Sequence, residues 1–205
     1  MTAIIDYNAG NLTSVKRALD YLGISCVITP DRNDVLAAER ILFPGVGHAG
    51  TSMQILRERG LDTALREAYS AGTPILGICL GTQIILSHSD EGDTSCVGLI
   101  DGDCPRFAVQ NNSLKIPHMG WDGISIKRDH PLLRHVTEND EFYFVHSYYP
   151  RPGREEDIIA ECEYEALFPA VIGCKNLFAT QFHPEKSGRA GLELLKNFCA
   201  WDGAE

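Results

Sequence analysis

Residues 74–81, PILGICLG, carry the strongest structural signal in the chain. The apolar run predicts a buried strand, and the glycines on either side of Cys79 predict a tight turn into a helix that continues through Ile85. This order of strand, turn and helix matches a nucleophile elbow in which cysteine replaces serine. We therefore predict a strained backbone at Cys79 and a thiol that projects from the top of a sheet.

Strand-like and helix-like segments alternate before this elbow. A helical stripe of apolar residues runs from Leu12 to Leu22, and a second helical stretch is expected from Met53 to Ala71. Strand-like runs cover residues 3–5, 26–28 and 40–43. Repeated βα units of this kind predict an α/β fold with a doubly wound, mainly parallel sheet flanked by helices.

The second half of the chain has a different pattern. From Val97 to about Ser125, short segments broken by Gly, Pro and Asn predict an antiparallel extension. Later strands are expected at 142–145, 158–160 and 177–180, followed by a helix from about Arg189 to Cys199. Because no repeat or linker divides the sequence, residues 1–205 are expected to form a single domain.

Composition and charge limit the classes of binding partner and the cellular compartment that the sequence allows. The formal net charge of −10 argues against nucleic-acid binding, which needs a basic surface. The N-terminus lacks a signal-peptide pattern and no apolar run is long enough to cross a bilayer, so we expect a cytoplasmic protein without membrane contact. Seven scattered cysteines without C-x-x-C spacing predict reduced thiols, and we expect neither a metal site nor a cofactor.

Cys79 is the candidate nucleophile among these cysteines. At the start of a helix, free N–H groups and the helix dipole favour the reactive thiolate. The Leu80 N–H is also placed to stabilise an oxyanion. The alternative is a buried structural cysteine, which the flanking glycines and the strand-helix context disfavour.

The tripeptide 183–185, His-Pro-Glu, supplies a candidate base and a group to orient it. Proline favours an extended backbone at His183, and in an extended segment residues two apart point to a similar side. Glu185 is then within reach of the His183 ring, which completes a Cys-His-Glu triad suited to acyl transfer. The alternative is a loop tripeptide without function. Three other histidines in polar or loop-like stretches are predicted to be surface residues: His88, His130 and His135.

A glycine-rich loop at residues 45–50, GVGHAG, fits the dinucleotide pattern G-x-G-x-x-G. However, it follows the third strand-like run instead of the first, and the next strand ends in Cys79 instead of an acidic residue. We favour a different role, in which residues 44–47 form a loop that offers a backbone N–H from Val46 or Gly47 to the oxyanion.

Together these residues resemble the class I, or triad, glutamine amidotransferases, which hydrolyse glutamine to glutamate and ammonia. Further motifs make the chain most similar to the glutaminase subunits of imidazole glycerol phosphate synthase, from histidine biosynthesis. These motifs are residues 6–12 (DYNAGNL), 117–121 (PHMGW), 144–148 (FVHSY) and 181–188 (QFHPEKSG). The resemblance covers nearly the whole chain.

The resemblance also implies roles for individual residues. Gly47 and Gln83 would hold the substrate glutamine, with Ser147 and Tyr148 on the other side of the pocket. The residues expected near a partner interface are Asn11, His118, Met119, Trp121, Tyr143 and Lys186. Two positions depart from the commoner family pattern: Thr82 stands where Met is frequent, and Asp122 stands where Asn is usual.

The implied partner is a cyclase subunit with a TIM-barrel fold, joined to this chain as a heterodimer. It would use the ammonia to convert a phosphoribulosyl precursor into imidazole glycerol phosphate and an aminoimidazole carboxamide ribotide. Three alternatives remain besides a nucleotide-binding protein. They are the glutaminase of another ammonia-channelling synthase, such as those of the pyridoxal phosphate or anthranilate pathways, a general cysteine amidohydrolase or peptidase, and a binding module without catalysis. The 117–121 stretch argues against the first of these.

Overall fold

The computed structural model describes residues 1–8, 10–108 and 115–204 of the chain. Ala9, within the 6–12 motif, and residues 109–114, within the predicted extension, lie outside the described residues. The helices are α1 (Leu12–Tyr21), α2 (Arg32–Leu36), α3 (Ala49–Glu58), α4 (Leu61–Ser70), α5 (Leu80–Ile84) and α6 (Gly188–Ala200). The strands are β1 (Thr2–Ile5), β2 (Cys26–Thr29), β3 (Arg40–Gly45), β4 (Ile75–Cys79), β5 (His88–Ser89), β6 (Thr94–Ser95), β7 (Gly102–Cys104), β8 (His118–Gly123), β9 (Ser125–Ile126), β10 (Glu141–His146), β11 (Arg151–Pro152), β12 (Ile158–Tyr164), β13 (Ala166–Cys174) and β14 (Leu177–Thr180).

An eight-stranded sheet forms the centre of the molecule, in the order β2-β1-β3-β4-β14-β13-β12-β9. The first five strands of this order run parallel to one another. The remaining three are added in antiparallel pairs. The predicted mainly parallel sheet is therefore confirmed, and β14, from the end of the chain, lies beside β4 at its centre.

Helices cover both faces of this sheet, because alternate residues of the central strands face opposite sides. Ile5 belongs to one hydrophobic core and its neighbour Ile4 to the other. Helices α2, α3 and α4 contribute Val35, Met53 and Leu61 to the first core, and α1 and α6 contribute Val15 and Leu194 to the second. This is the doubly wound arrangement expected from the sequence. Among the described residues, no helix combines the length and hydropathy needed to cross a membrane.

The helix predicted from Met53 to Ala71 is two helices, so that prediction was wrong. The first helix ends at Glu58 and the second begins at Leu61. Between them Gly60 has a φ of 65°, a left-handed conformation that a helix does not contain and that glycine adopts without strain. The apolar pattern continues across the break because both helices pack on the same face of the sheet.

The antiparallel additions extend the molecule beyond the central sheet. Strands β8 and β10 form a two-stranded ribbon, and β5, β6, β7 and β11 form a second small sheet that contains one parallel pair. Strand β13, the longest in the described chain, was absent from the prediction. Its Pro169 and its run of apolar residues without alternation hide the strand period.

Candidate active site

The elbow places Cys79 at the junction of β4 and α5. Its φ of 54° and ψ of −108° are strained for a residue with a side chain, as predicted, and its surface is only 6 % exposed. The following turn is close to β3, because a Cβ added at Gly81 would overlap the Phe43 carbonyl oxygen. Glycine is therefore required for the approach of α5 that presents the thiol.

His183 follows β14, the strand adjacent to β4, and its ring lies in a buried pair with Glu185. The Nδ1 atom of His183 is 2.8 Å from the Glu185 Oε1 atom, and both side chains are buried. Asn11, which precedes α1, also donates a hydrogen bond from Nδ2 to this oxygen. The carboxylate thus fixes the Nδ1–H tautomer of His183 and leaves Nε2 as the nitrogen able to accept a proton.

The electrostatic environment of His183 favours the imidazolium. Burial on its own lowers the pKa of His183, but the nearby Cys79 thiolate and the Glu185 carboxylate raise it to about 10. The Nε2 atom is buried and makes no hydrogen bond to any described residue. In free enzymes a nucleophile and its base are often too far apart for a good hydrogen bond, which forms when substrate binds. The raised pKa of His183 suits a proton held on its ring near the Cys79 sulfur.

A cleft of about 310 Å³ opens above Cys79. It is lined by every residue that the sequence analysis assigned to the oxyanion site or to substrate binding: Val46, Gly47, Leu80, Gln83, Ser147 and Tyr148. Gly47 has a φ of 119°, a conformation that favours glycine. Gln83 donates a hydrogen bond to the Tyr148 carbonyl at 2.8 Å, which joins α5 to the opposite wall of the cleft.

The sequence analysis missed two polar residues at or beside the cleft, Glu91 and Gln181. Glu91 lines it from the turn between β5 and β6, and its Oε2 atom accepts a hydrogen bond from the Ala49 N–H at 2.7 Å. A carboxylate therefore lies at the N-terminus of α3, where a dinucleotide phosphate would need the same N–H groups. Gln181 donates from Nε2 towards the Cys79 Sγ at 3.7 Å. The position of Gln181, two residues before His183, was the one sequence feature that could have pointed to it. No feature of the sequence around Glu91 indicated a place in the site.

Of the residues expected at a partner interface, Met119, Trp121 and Lys186 are exposed and Tyr143 is half-buried beside them. Met119 and Trp121 are 62 % and 50 % exposed, and the Trp121 ring packs edge-on against Tyr143. The Lys186 Nζ lies 5.7 Å from the centre of the Tyr143 ring. His118 departs from the expectation because its ring is buried between Phe144 and Tyr164. Asn11 is half-buried and turned to Glu185.

His130 is a correction to the predicted surface histidines. It is buried against Phe178 and Trp201, and its Nδ1 accepts a hydrogen bond from the Leu132 N–H at 3.2 Å. His88 is half-buried and His135 is exposed. Within the described parts of the chain, no group of three or more His, Cys, Asp or Glu side chains is arranged to hold a metal ion.

A strained cysteine at a strand-helix turn, beside a buried His-Glu pair on a mainly parallel sheet, is the arrangement expected of a triad amidotransferase. Residues 3–201 match the family model described as glutamine amidotransferase class-I. The fold agrees, since a structure of PurLQS from Thermotoga maritima superposes with a TM-score of 0.71 at 18% identity, covering 97% of both chains.

Two curated relatives make the relationship more specific. The imidazole glycerol phosphate synthase subunit HisH of Nitratidesulfovibrio vulgaris (strain Miyazaki F) is 50% identical, over 98% of this chain and 97% of the relative. The subunit of the same name from Chromobacterium violaceum is 43% identical, over 98% of each chain. The chain therefore belongs to the HisH family of class-I glutamine amidotransferases.

Proposed function

We propose that this chain hydrolyses glutamine to glutamate and ammonia and delivers the ammonia to a cyclase subunit that makes imidazole glycerol phosphate and aminoimidazole carboxamide ribotide. The observation that carries the proposal is the cleft lined by Cys79 and the glycine loop, with the buried His183-Glu185 pair near enough to Cys79 for the two charges to interact. Its size suits one amino acid. Family membership supports the same activity, and the match over residues 3–201 supports one catalytic domain in the chain.

In the proposed reaction the Cys79 Sγ attacks the side-chain amide carbon of glutamine, and the negative charge moves to the amide oxygen. The Leu80 N–H and an N–H of the Val46-Gly47 loop stabilise this oxyanion. His183 Nε2 receives the thiol proton and passes it to the departing nitrogen, so that ammonia leaves and a thioester remains. Water, deprotonated by His183, then attacks the thioester and releases glutamate. Glu185 orients the ring throughout.

Recognition of glutamine is assigned to the polar groups around the thiol. Gly47, Ser147 and Tyr148 offer backbone and hydroxyl groups to the head of the substrate, and Gln83 offers an amide. Glu91 adds the negative charge that a substrate ammonium group requires, because a carboxylate in a cleft attracts an ammonium strongly. Groups that bind the free ammonium at the head of the substrate would distinguish a free amino acid from a peptide, in which that nitrogen is part of an amide.

The partner is proposed to be a cyclase with a TIM-barrel fold, bound as a heterodimer in the cytoplasm. Two observations support this part. The curated relatives carry the name of a synthase subunit, and the exposed Met119, Trp121 and Lys186 lie around the half-buried Tyr143 ring, a composition of the kind enriched at interfaces. The cluster adjoins the triad through Lys186, the neighbour of Glu185.

The test is Cys79→Ala in the assembled complex with the cyclase. We expect glutamine-dependent synthesis to be lost, whereas synthesis supplied with ammonium salts at raised pH stays within about twofold of wild type, because the thiol acts only in releasing nitrogen. Cys174→Ala, which removes a thiol far from the cleft, is the matched control. A complex that is inactive with ammonia as well would refute the division of labour. Turnover of asparagine or a reporter peptide as fast as glutamine would indicate a general amidohydrolase.

A further inference from the structure

A pair of buried histidines lies between β8 and β10, outside the triad. His118 and His146 are opposite one another in the register of this ribbon, and the His118 Nδ1 is 3.1 Å from the His146 Nε2. The other nitrogen of His118, Nε2, is 2.6 Å from an Asp122 carboxylate oxygen. The Asp122 side chain is 41% exposed, so this chain of contacts begins at the surface.

The same chain continues to the cleft. His146 Nδ1 is 2.8 Å from the Tyr148 carbonyl oxygen, which also accepts the hydrogen bond from Gln83. Gln83 in turn lies 3.1 Å from Gln181, whose amide faces the Cys79 Sγ. Asp122 is thus linked through two imidazoles to a carbonyl in the wall of the glutamine cleft.

The number of protons determines which of these contacts are hydrogen bonds. The Asp122 carboxylate and the Tyr148 carbonyl only accept, so the three contacts among Asp122, His118, His146 and Tyr148 need three protons. Two neutral imidazoles carry two. All three bonds therefore form together only when one ring is an imidazolium, and the Asp122 carboxylate favours that charge on His118, the ring that it contacts.

Without the third proton, one bond must be lost, and the carboxylate decides which. A hydrogen bond to a carboxylate is roughly twice as strong as one between neutral groups, so His118 keeps its proton on Nε2 for Asp122. Its bare Nδ1 then accepts from His146 Nε2–H, because the carboxylate makes this nitrogen a stronger acceptor than the Tyr148 carbonyl, which already accepts from Gln83. This leaves His146 Nδ1 as a lone pair against that carbonyl, which keeps only the hydrogen bond from Gln83.

The surroundings of the pair make the third proton easy to lose. Burial lowers the pKa of His118 below its ordinary 6.5, and Asp122 offsets only part of this effect. Burial also lowers the pKa of His146 to about 3, with the His118 and His183 rings adding to the decrease. The other titratable groups near the pair are Tyr164, stacked on His118, and Cys162, near Asp122, where burial raises the thiol pKa to about 12.

We propose that Asp122 is a positioning residue for the glutamine cleft: through His118 it determines which nitrogen of His146 carries the proton, and thereby whether the Tyr148 carbonyl receives a second hydrogen bond beside the one from Gln83. This inference rests on the proposed function, because the cleft must bind glutamine for the effect to appear in kinetics. Asp122→Asn is the decisive variant. An amide N–H donates to His118 Nε2, so that His118 Nδ1–H and His146 Nδ1–H complete all three bonds with neutral rings.

The first measurement is the tautomer of His146, read from the imidazole ¹⁵N spectrum of the full chain from about pH 8 down to the lowest pH at which the chain stays folded. In wild type we expect the proton to move from Nδ1 to Nε2 as the pH rises and His118 becomes neutral. In Asp122→Asn we expect it to stay on Nδ1 throughout. A wild-type His146 with an unchanging tautomer would overturn the proposal, and so would a variant that behaves as wild type. This readout does not depend on glutamine turnover.

The second measurement is the KM for glutamine over the same pH range. Asp122→Asn is expected to have a KM about two- to tenfold lower than wild type near pH 8, the effect of one hydrogen bond, with kcat unchanged, and the difference should disappear at the pH where the nitrogen spectra show His118 of wild type to be charged. Glu141→Gln, which removes an exposed carboxylate from the same ribbon, should match wild type at every pH. An equal or higher KM for Asp122→Asn at pH 8 would overturn the positioning role. Absence of glutamine turnover in wild type would instead refute the proposed function, while the nitrogen spectra still test the relay.

Discussion

The Glu185 carboxylate illustrates how much one buried group controls at the scale of the residue. It accepts from His183 Nδ1 and from Asn11 Nδ2 on the same oxygen, while its second oxygen is buried without a hydrogen-bond partner in the described chain. The position of the ring, and the charge that forms on it during proton transfer, both depend on this one group.

Glu185→Gln is therefore expected to reduce kcat for glutamate release by about 10³- to 10⁴-fold, with the fold intact. The amide keeps the volume of the side chain, but it removes the charge and allows the wrong tautomer of His183. The measurement is steady-state glutamate release together with a thermal unfolding curve. Glu58→Gln, on the exposed surface of α3, is the matched control. A loss of less than about tenfold would contradict the orienting role.

The sequence was sufficient to predict the local structure at those candidate site residues whose neighbours determine the backbone. Cys79 between glycines and His183 before Pro184 both have backbone requirements that neighbouring residues reveal. Glu91 and the His118-His146 pair were not predictable, because their significance depends on contacts between segments far apart in the chain. The burial of His130 was missed for the same reason: its position in a loop says nothing of the Phe178 and Trp201 rings that cover it.

At the scale of the element, the close approach of α5 to β3 holds the elbow in place. Gly81→Ala would force a Cβ against the Phe43 carbonyl oxygen, and backbone cannot yield as a flexible side chain can. We expect a loss of about 1–3 kcal/mol in the free energy of unfolding, measured by urea denaturation, and a larger fractional loss of turnover.

Gly120→Ala provides the comparison, because a Cβ at that position of β8 meets no atom within 4 Å. Its free energy of unfolding should stay within about 0.5 kcal/mol of wild type. Equal destabilisation by the two substitutions would mean that the loss at Gly81 reflects alanine itself and not the packing of α5.

The break at Gly60 shows what the sequence pattern of an element can and cannot predict. Hydrophobic periodicity predicted the buried face of α3 and α4 but not the turn between them.

At the scale of the whole molecule, buried neutral histidines make stability depend on pH. Burial, reinforced by Arg128, lowers the pKa of His130 to about 4 from an ordinary 6.5. Below pH 6.5 the unfolded chain takes up a proton that the folded chain refuses, so the free energy of unfolding falls as the pH decreases towards 4. The contribution of His130 is about 3 kcal/mol over this range.

His130→Asn is expected to remove most of that acid-side loss while keeping a side chain that caps the turn at Leu132. The measurement is the free energy of unfolding at pH 7 and pH 4.5 by urea denaturation, compared as a difference between the two pH values. His135→Asn, at an exposed position with a φ of 72° that asparagine tolerates, is the control. An unchanged pH dependence in His130→Asn would show that other groups, such as His146, are responsible.

The topology was predictable in its parallel half, where alternating strands and helices leave few possible arrangements. The sequence did not indicate that β14 lies beside β4, because the residues of a strand do not show which distant strand it pairs with. Nor did it reveal β13, whose apolar run lacks alternation. These placements bring His183 to Cys79, so the site depends on the part of the fold that was hardest to predict.

The central position of β14 has a consequence for how the chain is made. Synthesis on the ribosome proceeds from the N-terminus, so β1 to β4 and the elbow emerge well before residues 177–185. Until those residues leave the exit tunnel, the sheet lacks a central strand and Cys79 lacks its base. A nascent chain therefore cannot hydrolyse glutamine, and the activity begins only when translation of the domain is nearly complete.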